Sequence, residues 1–164
     1  MGTEGTADSQ VSLEPERRTR SKRIDPKLKA AGWRVMPFAP GKPLADYGNE
    51  AAVTEFETAA GPADYALWDH KEALGVVEAK KVTLGPQGVL TQAERYSRGF
   101  TANPIDYGDG FRVPFLYSTN GEVIWFHDVR DSLNRSRKVS AFHTSAALRE
   151  MLDRDRAAEL GALA

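Results

Sequence analysis

The chain has 164 residues and a mass of 18.0 kDa, is 41% hydrophobic, and carries a formal net charge of −1. That length and apolar share suffice for one domain with a buried core, while the near-neutral charge excludes a global field that draws the chain to nucleic acid or to a membrane surface. With no cysteine, disulfides, thiolate metal sites and cysteine nucleophiles are excluded; no apolar run approaches a membrane span, the polar start Met1–Gln10 holds no signal-peptide core, and a cytoplasmic setting is expected.

Residues 1–12 are small and polar and read as a disordered tail, leaving residues 13–164 as a single domain. A helix is expected over 14–31, with Pro15 in its first turn and Gly32 as its stop; Pro26 breaks it and Asp25 caps the second half. This stretch is basic, with seven Lys/Arg against three acids in residues 14–30. Pro37, Pro40, Gly41 and Pro43 mark 36–50 as loop, and Val53–Phe56 reads as a short strand. Strands are expected at 63–68 and 74–81, then a Gly/Pro loop at 84–88, a helix over 89–98 and a loop over Thr101–Gly110. Strands Phe111–Ser118 and Glu122–Asp128 flank Asn120-Gly121, a hairpin signal. Arg130, Arg135, Arg137 and Lys138 form a second basic cluster. Both clusters offer contacts to phosphates, and each taken alone is more simply a solvated face. Ser145 is expected to cap a last helix that runs to Leu160, with Gly161 beyond it. Helix, strands, helix, strands predicts an α/β (α+β) fold, a mixed central sheet flanked by helices.

The stretch Gly61–Lys81 carries the chemistry. With a five-residue turn over Asp69–Ala73, Trp68 pairs with Leu74, and counting back sets Asp64 opposite Glu78. Opposed carboxylates repel, and a divalent cation between them removes that cost. Side chains alternate along a strand, so Glu78 and Lys80 share a face roughly 7 Å apart, which sets a cation beside the carboxylates for a phosphate or an attacking water. Read alone, Glu-x-Lys on a strand is a solvated pair. Downstream, Val89, Gln92, Ala93 and Tyr96 fall on one helical face, so Gln92 and Tyr96 stack one turn apart. An amide amid apolar neighbours needs partners; the plainer alternative is a Gln at the margin of a surface helix. His70, His127 and His143 show no ligand spacing, and with no G-x-x-x-x-G-K-[ST] run no ATP site is expected.

The order Asp64, Glu78-Ala79-Lys80, then Gln92-x-x-x-Tyr96 resembles the PD-(D/E)xK nuclease superfamily, in the subset with a Q-x-x-x-Y motif. The wider set resembles the N-terminal nuclease domain of type I restriction enzyme R (motor) subunits. It comprises Ile24-Asp25-Pro26, Ala31-Gly32-Trp33, Val53–Phe56, Gly61–Tyr65, Val77–Lys81, Gln92–Tyr96, Pro114–Gly121 and Trp125–Asp128, and covers roughly residues 14–150. The resemblance implies a restriction-endonuclease-like core and a Mg²⁺-dependent DNA endonuclease, with Mn²⁺ as a substitute. Asp64, Glu78 and the Ala79 backbone carbonyl are implied to hold the metal, Lys80 to be catalytic, and Gln92 and Tyr96 to contact DNA. Its implied partners are double-stranded DNA, a helicase/translocase domain, and the specificity and methylation subunits of a restriction complex in a bacterial or archaeal cytoplasm. The chain is expected to be a piece of such a subunit or a stand-alone relative. In one respect it departs from the pattern. Where such domains carry a glutamate on the first helix, this stretch has Arg17, Arg18, Arg20, Lys22 and Arg23. That departure keeps a second expectation open, a non-catalytic DNA-binding or complex-assembly module with the same fold.

Overall fold

The computed structural model describes residues 20–80 and 90–163, with side chains for all of these except residue 21 and residues 155–163. The expected tail, residues 14–19 of the first helix, the loop at 84–88, Lys81 and Val89 lie outside the described residues.

Seven strands form one mixed sheet in simple sequence order. They are β1 (Arg34–Pro37), β2 (Ala51–Thr58), β3 (Gly61–Asp69), β4 (Glu72–Ala79), β5 (Phe115–Thr119), β6 (Ile124–Asp128) and β7 (Arg137–Val139). The pairs β1–β2 and β4–β5 are parallel, and all others are antiparallel. A π-helical turn (Arg20–Ile24) leads into α1 (Asp25–Ala30), and α2 (Thr91–Arg98) and α3 (Ser145–Leu163) complete the helices. Helices cover both faces, as the α/β (α+β), restriction-endonuclease-like expectation requires. On one face Ala63, Ala66, Val76 and Leu116 pack with Ala93 and Tyr96 of α2. On the other, Tyr65, Leu67, Val77 and Tyr117 pack with Ile24 and Leu28 of the first helical segment and Leu148 and Leu152 of α3. Burial on both sides explains why the central strands read as nearly unbroken apolar runs.

The first helical segment divides next to Pro26 as expected: the π-helical turn ends at Ile24, and Pro26 sits in the first turn of α1, where its missing N–H costs least. Several local expectations need correction. Asp25 does not cap α1; its carboxylate instead accepts the Tyr65 hydroxyl and ties the segment to β3. Edge strands β1 and β7 were not expected, because four and three residues are too short for a period to show. A 3₁₀ turn (Leu44–Tyr47) lies within the expected loop. The strand expected from Phe111 begins at Phe115, after Pro114, which has no N–H for the ladder. Its hairpin to β6 has a four-residue loop instead of two, since Thr119 pairs with Ile124. Asn120 Oδ1 there accepts the N–H groups of Glu122 and Val123. Gly121 adopts φ +93°, and a Cβ at that position would run into Arg23. The cap of α3 is Thr144, whose Oγ1 accepts the Ala147 N–H at 3.1 Å, and the helix continues through Gly161.

α3 is clamped to the β3–β4 hairpin by Arg149, which pairs with Asp69 and, at 3.7 Å, with Glu72. Arg149 Nε lies 3.1 Å from Asp69 Oδ2, and Arg149 Nη2 donates to the Asp69 carbonyl at 2.9 Å. The Asp69 side chain is only 4% exposed, so losing its partner strands a buried carboxylate. Arg149→Ala is expected to cost about 2 kcal/mol, less than a fully buried pair because Arg149 itself is partly solvated. Urea denaturation measures it; an unchanged midpoint would show the clamp to be idle.

A carboxylate site at the end of three strands

The β3–β4 hairpin reaches the expected opposition by an unexpected route. Asp69 pairs with Glu72, so the turn is the two residues His70 and Lys71, both with positive φ (49° and 65°). That is the primed-turn conformation that matches strand twist. Trp68 accordingly pairs with Ala73, not Leu74. Continued unchanged, this register would set Asp64 opposite Val77 and send Glu78 to the other face of the sheet. A β-bulge at Leu67/Trp68 takes up Leu74 as the extra residue, and beyond it Leu67 pairs with Gly75 and Tyr65 with Val77. The next pair is Asp64 and Glu78. The short turn and the bulge cancel, and the two carboxylates share a face.

Local contacts bear out how close they are. Asp64 Oδ2 accepts the Ala79 N–H at 2.8 Å, next to the Glu78 carboxyl. Burial pushes the Asp64 pKa above the ordinary carboxylate range. The Ala79 N–H, Glu78 and Arg20 act against that rise, and Glu55 adds to it. Glu78 is buried and Asp64 half-buried. Lys80 is half-buried just past the end of β4, where its N–H donates to the Thr119 carbonyl at 2.8 Å. That extended continuation keeps it on the Glu78 side by alternation.

α2 lies across β3, β4 and β5 on this same face. Tyr96 is buried in the core there, beside Ala93, and Gln92 is half-buried one turn earlier. Ala93, Tyr96 and Ser97 form the centre of the buried stripe and Gln92 its margin. Ser97 Oγ donates to the Val113 carbonyl at 2.9 Å and accepts the Val113 N–H at 3.1 Å, fixing the helix to the approach of β5.

Reading the site from sequence left out three residues. Glu55 stands opposite Asp64 on β2, between the pairs Thr54–Tyr65 and Phe56–Ala63, and it takes φ +54° within the strand. Arg20 reaches over from the π-helical turn, with Nη2 2.8 Å from Glu55 Oε1 and Nη1 3.5 Å from Asp64 Oδ1. Burial works against its charge, but Glu55 and Asp64 outweigh burial and hold its pKa above the usual value. Tyr65, the neighbour of Asp64 on the opposite face, gives its hydroxyl proton to Asp25, and its oxygen lies 3.4 Å from the Arg20 carbonyl, beside that turn. On the other side of Glu78, its β5 partner Ser118 is fully buried, and Ser118 Oγ has no hydrogen-bond partner among the described residues. The signal for Arg20 was its placement in a stretch where an acid was expected; nothing local marks Glu55 or Ser118.

The donor set suits a hard divalent cation. Two carboxyls opposed on one sheet face are stabilised by a proton or a cation between them, and the Ser118 hydroxyl beside Glu78 calls for a further polar partner. Among the described residues no group of three or more His, Cys, Asp or Glu side chains could hold a metal. Mg²⁺ is commonly held by only one or two carboxylates, with waters and substrate phosphate completing its shell. Among the described residues no helix is long and apolar enough to cross a membrane.

Residues 41–152 match a family model described as the second domain of the type I restriction enzyme EcoKI endonuclease subunit. The type I restriction enzyme EcoKI endonuclease subunit of Escherichia coli strain K12 is 29% identical over 176 aligned positions, which cover 79% of this chain. They cover 15% of that subunit, so the chain corresponds to a small part of its relative. No solved structure matches the chain.

Proposed function

This chain belongs to the family of the type I restriction enzyme EcoKI endonuclease subunit second domain, and from that membership we propose that it is a metal-dependent DNA endonuclease domain that hydrolyses phosphodiester bonds. The observation that carries the reading is the opposition of Asp64 and Glu78, produced by a bulge that has no other evident purpose in the hairpin. In this reading Asp64, Glu78 and the Ala79 carbonyl hold Mg²⁺, for which Mn²⁺ substitutes. A divalent cation bound there lowers the pKa of a water and neutralises charge on the phosphate. Lys80 positions the attacking water and stabilises the charge that develops on the phosphate oxygens. Attack at phosphorus breaks the bond to the 3′ oxygen and leaves a 5′-phosphate and a 3′-hydroxyl.

Gln92 and Tyr96 contact the DNA backbone from α2. Because the Tyr96 ring is part of the core, alanine there would open a cavity, and Tyr96→Phe is the cleaner variant. Gln92→Ala and Tyr96→Phe are each expected to slow cleavage by about tenfold, the worth of one hydrogen bond, with Mg²⁺ affinity unchanged. Calorimetry that found metal binding abolished by either change would move that residue onto the metal.

The substrate is double-stranded DNA, engaged mostly through phosphates, so binding falls steeply with salt. Efficient cleavage draws on partners: an ATP-driven helicase/translocase domain and the specificity and methylation subunits of a cytoplasmic restriction complex. Nicking of supercoiled plasmid across a Mg²⁺ titration tests the proposal. Nicking that rises with Mg²⁺ is expected. Salt-sensitive DNA binding without nicking at any Mg²⁺ or Mn²⁺ concentration would instead identify a non-catalytic DNA-binding or complex-assembly module.

A further inference from the structure

Asp64 has two carboxylate oxygens, and both are engaged. Oδ2 is held by the Ala79 N–H within the sheet, at 2.8 Å. Oδ1 faces the Arg20 guanidinium at 3.5 Å. Oδ2 already accepts the Ala79 N–H, so Oδ1 is the oxygen that a cation meets without sharing it with the strand amide. Arg20 therefore stands where a metal's charge would act. Its side chain is only 12% exposed and lies between two acids, so it is a built part of the site and not a surface arginine that happens to lie near.

The same guanidinium has a second anchor. Its Nη2 bonds Glu55 Oε1 at 2.8 Å, closer than its approach to Asp64. Glu55 is 57% exposed and holds φ +54° in mid-strand, a left-handed backbone conformation that is unfavourable for a non-glycine residue. The kink lies level with Asp64 in the sheet. Together the strained residue, the forked cation and the two acids make a device with two positions for one charge.

We propose that Arg20 is the internal counter-ion of the carboxylate site, competing with the divalent cation for Asp64, and that Glu55 is the anchor that retains Arg20 when the metal displaces it. Both are positioning residues that set how tightly the site loads. The proposal rests on the metal reading above and adds two residues to it. It gives Arg20 a role: the chain trades metal affinity for a metal-free site that is already neutralised.

The test is Mn²⁺ binding without DNA, by calorimetry, on the intact chain and on Arg20→Gln, Glu55→Gln and the double variant. Removing a partly screened positive charge at this distance is expected to tighten binding roughly tenfold in Arg20→Gln. Glu55→Gln is expected to weaken binding several-fold, because Arg20 then has only Asp64 to pair with. In the Arg20→Gln background that second effect is expected to shrink towards nothing, which a simple loss of nearby negative charge would not do. The proposal is overturned if Arg20→Gln binds no more tightly than the unaltered chain, or if Glu55→Gln weakens binding equally in both backgrounds. Glu55 is exposed, so its variant reports even if Arg20→Gln fails to fold; unchanged or tighter binding in Glu55→Gln also overturns the proposal. If the unaltered chain and Arg20→Gln both bind no Mn²⁺, the metal reading itself fails and takes the competition with it. Binding by the unaltered chain with no gain in Arg20→Gln removes the competition alone.

Discussion

Asp64→Asn is expected to reduce plasmid nicking by at least about a thousandfold while leaving a folded domain. The asparagine keeps an oxygen for the Ala79 N–H and fills the same volume, so the strand register survives. What it loses is the charge that a cation needs. Stability changes little, because two terms oppose each other: the partial pairing with Arg20 is lost, and so is the like-charge contact with Glu55. Glu78→Gln is expected to behave in the same way, since Glu78 lies on the same sheet face next to Asp64. Lys80→Ala should fall by roughly a hundredfold to a thousandfold, the usual loss when one group that stabilises developing charge is removed. Its side chain leaves from the end of β4, where no strand pair depends on it, so the melting temperature should hold. Nicking rates and thermal melts on the three proteins check this together. If all three still cut DNA, the active site is elsewhere; a variant that melts far below the others marks that residue as structural.

How much of this was legible in the sequence depends on the range of the interaction. The central strands announced themselves, because Ala63–Trp68 and Leu74–Ala79 are buried on both faces and dense in apolar residues. Their pairing was right at Asp64 and Glu78 and wrong at Trp68. A five-residue turn and a two-residue turn with one bulge give the same register seven residues away, and no local signal separates them. His70 and Lys71 hide the true turn, since neither is a residue that favours positive φ as glycine or asparagine does. The caps failed for a related reason. Asp25 and Ser145 have the right chemistry for capping, but tertiary contact with Tyr65 claimed one, and Thr144, one residue earlier, took the place of the other. Arg20 and Glu55 could not be found by pattern at all. They meet across 35 residues, and the expected helix put Arg20 on a basic face when its side chain in fact turns in to two acids. The family's motif located the carboxylates; the charge that balances them is a property of the packed chain.

That balance leads to the last expectation: chelating all divalent metal should abolish cleavage and leave the fold intact. A site with one buried and one half-buried carboxyl and no counter-charge would make the metal-free protein unstable, and many small metal domains do unfold when stripped. Here Arg20 supplies positive charge from within, the Ala79 N–H holds Asp64, and the sheet around them is closed by apolar packing on both faces. The metal-free domain should therefore melt in a single transition in excess EDTA, with its circular dichroism unchanged. Adding Mg²⁺ back should raise stability only through mass action, by about 2.7 kcal/mol at a hundred times its dissociation constant, and should restore nicking in step with site occupancy. Mn²⁺ should do the same, and Zn²⁺ should be the poorer replacement, since the site offers oxygens and the chain has no thiolate. Undiminished nicking in excess chelator would rule out a metal at these carboxylates. Loss of the fold on chelation would mean that Arg20 does not neutralise them, because the metal would then be needed to hold the strands together and not only to cut.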